Sequence, residues 1–298
     1  MKFALACDSS SVHSYYVKEG RVFTLDSKPY TRVHHIGNEC MMGFWNYPAL
    51  FDGYFINLEQ ENYPDEDFDL IFAAIEGNIN YLDTLAKLYP NAKIVGTIKE
   101  AAKRKDVRND LIRLTDSFVV PYLTFDFFTE YGYDTPGVVH RIPQPVNIKY
   151  LQEHFDTDKQ EYIFDYSNTW VGGRKGTNQQ LLSKLNYEVK QGSHSNWHDF
   201  IQMWKASKYM LNLDPTHNFG QQATQCAALG TVMVGGHNDA HKVLYPELAT
   251  CDTNRLVELF TKLESDPIYY KEIVDYASKK VQEVYSFDTV RKQIQSLL

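Results

Sequence analysis

Three groups of residues have the types and spacing to do chemistry. The first is His217-Asn218-Phe219-Gly220-Gln221-Gln222, with Gln225 one turn further on. Read as the start of a helix, Asn218-Phe219-Gly220 presents backbone N–H groups and the positive end of the helix dipole to an anion. Gly220 removes the side chain that would block approach. Asn218 and Gln225 are seven apart, about two turns, so with Gln221 and Gln222 they form one polar side. Ala223, Cys226 and Ala227 form an opposite face of small residues, suited to lying close on a sheet. The second group is Gly172-Gly173-Arg174-Lys175-Gly176. A lysine acts as a point charge and an arginine can bridge two oxygens, so this pair suits the oxygens of an anion. The third is Ser9-Ser10-Ser11-Val12-His13, a hydroxyl-rich loop after the apolar run Lys2–Cys7. Each group also has a plain structural reading: a strand–helix–strand unit with a soluble outer face, two solvated bases in a turn, and a βα turn.

The elements that must position these residues alternate. Strands are expected at Lys2–Cys7, Arg21–Leu25, Gly53–Asn57, Phe68–Ile75, Lys93–Thr97, Ser117–Val120 and Val138–Ile142. Helices are expected at Ile79–Leu88, Lys99–Leu114 and Phe125–Tyr131. A second alternation follows, with strands at Tyr162–Tyr166, Asn186–Lys190, Met210–Leu213 and Thr231–Val234. Its helices are expected at Thr177–Leu185, His198–Ala206 and Phe219–Leu229. Between the two alternations lies Ile142-Pro143-Gln144-Pro145-Val146-Asn147, whose two prolines stiffen it. The pattern predicts two α/β domains with parallel sheets, 1–145 and 146–298, and a ligand cleft between them. Ligands of such sheets sit at the carboxyl ends of the strands, where the Ser9–His13 loop falls.

Composition narrows the class. The net charge is −8, with 14 basic and 20 acidic residues up to Pro145 and 16 against 18 after it, so neither half is a basic nucleic-acid coat. No apolar run reaches the length of a membrane span. The four cysteines, Cys7, Cys40, Cys226 and Cys251, are widely spaced and read as reduced structural thiols, hence a cytoplasmic protein. No spacing of His, Cys, Asp or Glu suggests a metal centre. His34, His35 and His140 read as structural or as acceptor-side groups. A basic cluster (Lys99, Lys103, Arg104, Lys105, Arg108, Arg113) is expected on the 99–114 helix, as a solvated face or as a grip on a polyanion.

Four motifs in order carry a resemblance. The connector IPQPVN resembles IPNGVD; RKGTNQQLL (Arg174–Leu182) resembles K-G-x-x-x-L-L. HNFGQQATQCAALGTVMV resembles E-x-F-G-x-x-x-x-E-A-x-A-x-G-x-P-V-V, and the tail through YSFDTVRKQIQSLL resembles closing helices with an aromatic turn. Together they resemble the donor-binding half of GT-B glycosyltransferases, closest to the retaining, nucleotide-sugar-dependent family 4, over roughly residues 138–298. Two signature glutamates of that family are replaced here, by His217 and Gln225. Trp170 stands where it has an arginine, and Val232 where it has a proline.

The resemblance implies two Rossmann-like domains facing a cleft. It also implies a hexosyl- or pentosyltransferase that takes a nucleotide diphosphate sugar as co-substrate, with no cofactor or metal. Lys175, Arg174 and His217 would be catalytic. Gly173, Asn218, Phe219, Gly220, Gln221 and Gln225 would hold the donor. Ser9, Ser10, Ser11 and His13 would face a hydroxyl acceptor: a glycan, a small molecule or modified DNA. The rival expectations are a partner subunit that binds a nucleotide-sugar without turnover, a transferase acting on modified bases in DNA, and a sugar epimerase on the same fold.

Overall fold

Apolar runs too continuous for a half-exposed strand have to be covered on both faces, and the chain meets that need by forming two sheets with helical connections. The computed structural model describes residues 1–8, 12–29, 43–99, 104–154, 158–165, 183, 185, 187–190, 197–213 and 219–298. Two compact units result, Met1–Pro145 with Phe287–Leu298, and Val146–Ser286.

In the first unit β1 (Phe3–Cys7), β4 (Tyr54–Asn57), β5 (Leu70–Ala74), β6 (Lys93–Thr97), β7 (Phe118–Val120) and β8 (Val139–Arg141) run parallel. An antiparallel hairpin, β2 (Tyr15–Lys18) and β3 (Arg21–Thr24), extends the sheet to the order β3-β2-β4-β1-β5-β6-β7-β8. The sheet is therefore mixed, and β2 has no counterpart in the expected strands. Its turn is Glu19-Gly20, both at positive φ (52° and 75°), the two-residue geometry whose twist matches a hairpin. With glutamate in place of the usual Asn or Asp, little in the local sequence marks it.

Helices α1 (Asn80–Leu88), α2 (Lys105–Leu114) and α3 (Phe127–Tyr131) make the crossovers. The core joins Phe3, Leu5, Phe55, Leu70 and Phe72 to Val290, Ile294 and Leu297 near the end of the chain. Those last residues belong to α10 (Phe287–Gln295) and the turn after it, and Arg291 Nε donates to Leu50 O at 2.7 Å. The expected second half, 146–298, thus gives up its closing residues to the first unit. An amphipathic helix needs an apolar floor, and the floor here is the first unit's core.

The second unit holds a four-stranded parallel sheet of order β10-β9-β11-β12: β9 (Gln160–Asp165), β10 (Glu188–Lys190), β11 (Ser207–Leu211) and β12 (Val232–Val234). Around it lie α4 (Ile148–His154), α5 (Trp197–Ala206), α6 (Gln221–Leu229), α7 (Asp239–Leu244), α8 (Thr253–Ser265) and α9 (Pro267–Tyr285). Where the chain enters and leaves this unit, Val146 N donates to Tyr285 O at 2.9 Å.

The basic cluster takes a form that the sequence did not indicate. Helix α2 begins at Lys105, and Lys103 lies outside the described residues. Arg108 is 1% exposed and pairs with Glu76, 7% exposed, at 3.0 Å. Its guanidinium also lies 5.9 Å from the centres of the Phe127 and Tyr133 rings. Arg104 pairs with Asp106 and Arg113 with Asp110, and Lys99 stands 5.7 Å over the Trp45 ring. Burial lowers the Arg108 pKa and Glu76 opposes the shift. Removing one partner leaves the other charge unpaired and buried. Glu76→Ala is therefore expected to destabilise the protein by about 3–5 kcal/mol, and Glu76→Leu with Arg108→Met to recover most of that loss, as read by urea unfolding.

Candidate functional site

A parallel sheet offers ligands the carboxyl ends of its strands, most of all where the strand order reverses. In the second unit the reversal falls between β9 and β11, which pair through Asp165 and Leu211 at that end. The segments leaving these strands carry Gly173, Arg174 and Lys175, and His217 and Asn218. All five residues lie outside the described residues, as does Trp170. The described part brings the two departures next to each other, since paired strands lie about 4.8 Å apart.

Phe219 and Gly220 lead into α6. Gly220 takes the left-handed conformation (φ 78°, ψ 37°), and no side chain caps the helix start. A Cβ at Gly220 would fall 2.7 Å from Asn238 Cγ and 3.0 Å from Ala240 Cβ. The glycine is thus demanded by its φ and by a neighbour within the protein. Ala240 N donates to Phe219 O at 3.3 Å, so the starts of α6 and α7 are bonded together.

The helix differs from its expected form. Its outer side was expected to be polar and exposed, but every residue from Ala223 to Leu229 is buried. Helices α4, α5, α7 and α9 and strand β12 all pack on α6, which explains the small residues on several of its sides. Gln225 is 3% exposed. Its Oε1 and Gln221 Nε2, one turn earlier, have no hydrogen-bond partner among the described residues. A free acceptor and a free donor at i and i+4 on one helix side are the groups a hydroxylated ligand would satisfy.

Behind the helix start, Asn238 Oδ1 accepts the N–H of His241 at 2.8 Å and caps α7. His241 is fully buried, with Nε2 3.0 Å from Met233 O, and burial lowers its pKa to about 4. That position makes it a neutral imidazole with Nε2 as the donor. Sequence reading singled out neither residue; the N-cap pattern at Asn238 was the available signal.

The carboxyl ends of the first unit's strands present a different picture. There the order reverses between β1 and β5, and Asp8 occupies the junction, 1% exposed. Asp8 Oδ1 accepts from Glu76 N (2.7 Å), and Oδ2 from Gly77 N (2.7 Å) and Asn78 N (3.1 Å). Ser9, Ser10 and Ser11 lie outside the described residues, as do His34 and His35. His13 is exposed, its Nδ1 bonded to the Gln60 amide, whose Oε1 accepts from Ser14 N at 3.1 Å. His140 sits half-buried in mid-strand in β8, its pKa lowered by burial and by Lys93. Among the described residues no three His, Cys, Asp or Glu side chains gather as a metal site requires, and no helix is long and apolar enough to cross a membrane.

No protein-family model matches the chain, and no curated protein matches it. Solved structures do. An α-glucosyltransferase in complex with UDP-glucose and DNA containing an abasic site matches with a TM-score of 0.60 at 11% identity, over 100% of this chain and 99% of the other. Sucrose-phosphate synthase from Thermosynechococcus elongatus gives a TM-score of 0.59 at 14% identity, over 83% and 82% of the two chains. A GtfA/B complex gives 0.52 at 13% identity over 76% of this chain, which spans 56% of that protein's length. The chain has the two-unit α/β fold of GT-B glycosyltransferases. At these identities the likeness is one of fold.

The buried imidazole has a pH signature. The folded-state pKa of His241 is about 4 against the ordinary histidine value of 6.5, so between those values the unfolded chain binds a proton that the native protein does not. Stability should be constant above that window and fall as pH drops through it, by about 3 kcal/mol in total from this residue. Urea unfolding at neutral pH and at about pH 4.5 checks this. The wild type is expected to lose about 2–3 kcal/mol more over that interval than His241→Gln.

Proposed function

We propose that this protein is a glycosyltransferase that moves a sugar from a nucleotide diphosphate sugar to a hydroxyl acceptor. The observation that carries the reading is the start of α6. It is a helix terminus without a side-chain cap, beside buried polar atoms that lack partners among the described residues, near the carboxyl ends of a parallel sheet with a glycosyltransferase fold. Helix N–H groups and dipole favour the diphosphate, and Lys175 and Arg174 would supply the positive charge it needs on leaving. In the transfer the bond from the anomeric carbon to the diphosphate oxygen breaks and a bond to the acceptor oxygen forms. The acceptor loses its proton and the diphosphate departs with the electron pair. Gly173, Asn218, Phe219 and Gly220 would line the diphosphate, with Gln221 and Gln225 facing the ribose or sugar and His217 the sugar hydroxyls.

The family 4 motifs support retention at the anomeric carbon and a reaction without metal. The paired His217 and Gln225 support a donor preference different from that family's. Gln225 keeps one carbonyl acceptor but lacks the charge and the second oxygen of a carboxylate. Ser9, Ser10, Ser11 and His13 are assigned to the acceptor side. A cytoplasmic location accords with the reduced cysteine pattern.

Incubation with nucleotide-sugars, UDP-glucose first, should release nucleoside diphosphate slowly, and faster with an acceptor present. Lys175→Ala should cut turnover at saturating donor by about 10²-fold, through lost charge stabilisation of the leaving group. Unchanged turnover would sink the role of Lys175, and binding with no release at all would make the protein a non-catalytic donor-binding subunit. A changed sugar with no acceptor consumed would make it an epimerase.

One observation favours a second reading, with modified DNA as the acceptor: the near-complete two-way match to a glucosyltransferase solved with UDP-glucose and DNA. The 99–114 cluster gives it no support, because Arg108 is buried and Arg104 and Arg113 are paired with acids. Binding of duplex DNA that weakens steeply between about 50 and 200 mM salt is the expected result for this reading. Binding that is absent or indifferent to salt argues against it.

A further inference from the structure

Between β1 and β2 the chain carries His13 at the carboxyl end of the first sheet, where a set of side-chain bonds ties this loop to the turn after β4. Asn57, buried, donates from Nδ2 to Val12 O at 2.8 Å, and its Oδ1 accepts from Glu59 N at 3.0 Å. Ser14, also buried, accepts the N–H of Asn57 on Oγ at 2.9 Å. Gln60 completes the set: its Oε1 accepts from Ser14 N at 3.1 Å, and its Nε2 meets His13 Nδ1. The His13 side chain itself is exposed. An exposed ring gains little from burial, so what the network supplies is the orientation of the imidazole.

The sense of each bond follows from the groups involved. A backbone N–H only donates, so the Gln60 atom facing Ser14 N is the carbonyl oxygen. The NH2 end of the amide then faces His13. It too only donates, so Nδ1 is the accepting nitrogen and the ring proton sits on Nε2. One backbone N–H, acting through one amide, thus selects the tautomer of His13.

The surrounding charge narrows what this ring can meet. Gln60 lies between Glu59 and Glu61, both exposed. Burial, and then the charges of Glu59, Asp8 and Glu61, raise the pKa of Tyr81 in the first turn of α1. Carboxylates gathered at this end of the sheet repel an anion and leave an uncharged hydroxyl as the compatible partner.

We propose that Gln60 fixes His13 as its Nε2–H tautomer, so that His13 donates a hydrogen bond to a hydroxyl oxygen of an uncharged sugar acceptor and does not serve as a base. Gln60 is a positioning residue that acts through His13. This rests on the glycosyl-transfer reading and deepens it on the acceptor side.

Gln60→Glu tests the sense of the bond. A carboxylate still accepts from Ser14 N, and its second oxygen calls for a proton on Nδ1, which turns Nε2 into an acceptor. The full-length protein, this variant and His13→Ala are isotope-labelled at the histidine ring nitrogens. Their nitrogen NMR spectra are recorded at about pH 8, above the ordinary range of histidine. The signals lost in His13→Ala belong to His13. In the wild type they should show a protonated Nε2 and an unprotonated Nδ1. Gln60→Glu should reverse them, with its unfolding midpoint close to that of the wild type. Release of nucleoside diphosphate from the UDP, GDP, ADP and dTDP esters of glucose is then followed against methyl glycosides of glucose, galactose and mannose, and against phosphate esters of the same sugars. The glycosides should accelerate release more than the phosphate esters. Their half-saturating concentration should be about tenfold higher for Gln60→Glu, as suits one hydrogen bond.

A wild-type proton on Nδ1 overturns the tautomer. Equal half-saturating concentrations in the two proteins, a preference for the phosphate esters, or release that no glycoside accelerates overturns the contact with an uncharged acceptor. A lowered midpoint in Gln60→Glu with the His13 signals unmoved makes Gln60 a structural residue and overturns its positioning role. A wild type that releases no nucleoside diphosphate removes the transfer reading and this contact with it, while the nitrogen spectrum still reports the tautomer.

Discussion

Asp8 leaves the central strand β1 where the order of the first sheet reverses, and its two oxygens take the N–H groups of Glu76, Gly77 and Asn78. Those groups open the crossover that follows β5, and unpaired they would form a nest for an external anion. The protein fills the nest with its own carboxylate. Glu76, held there, turns its side chain onto Arg108, and Arg108 lies among the aromatic rings of Phe127 and Tyr133. One chain of polar contacts thus links β1, the turn after β5, α2 and α3. It is buried, so each member depends on the next: losing one leaves a charge or donor that water cannot reach.

At the corresponding end of the second unit's sheet, Asp165 closes β9, fully buried and engaged in interactions of its own. Helix α6 starts at a glycine whose φ excludes most side chains, beside an asparagine whose bulk excludes the rest. Gln221, Gln225 and Asn238 each hold a polar atom without a partner among the described residues. A positive backbone nest with an internal anion is closed to a second one, as Asp8 closes that of the first unit.

Much of the architecture was readable because continuous apolar runs such as Phe68–Ile75 and Lys93–Thr97 have one stable use, as covered parallel strands. Strand β3 was expected, but β2 and its hairpin pairing with β3 escaped because the turn uses Glu19 at positive φ, where local preference gives no warning. The terminal helix was joined to the wrong unit because periodicity specifies an apolar face and says nothing of which core receives it. The burial of Gln225 and of Arg108 was not legible for a shared reason. Polar side chains enter a core when neighbouring elements supply enough contacts to cover their backbone and stem, and those neighbours are distant in sequence.

By itself, then, the sequence determined the alternation of strands and helices, the break at the proline connector, and the glycine at which α6 begins. These depend on side-chain periodicity and on backbone conformations that only a few residues adopt. Tertiary structure decided which polar groups are spent and which remain. It closed the nest of the first unit with Asp8, buried Arg108 on Glu76, enclosed Gln225, and placed the Asn238 amide against Gly220. Whether a donor or acceptor is satisfied depends on atoms brought from elsewhere in the chain, and no local pattern encodes that.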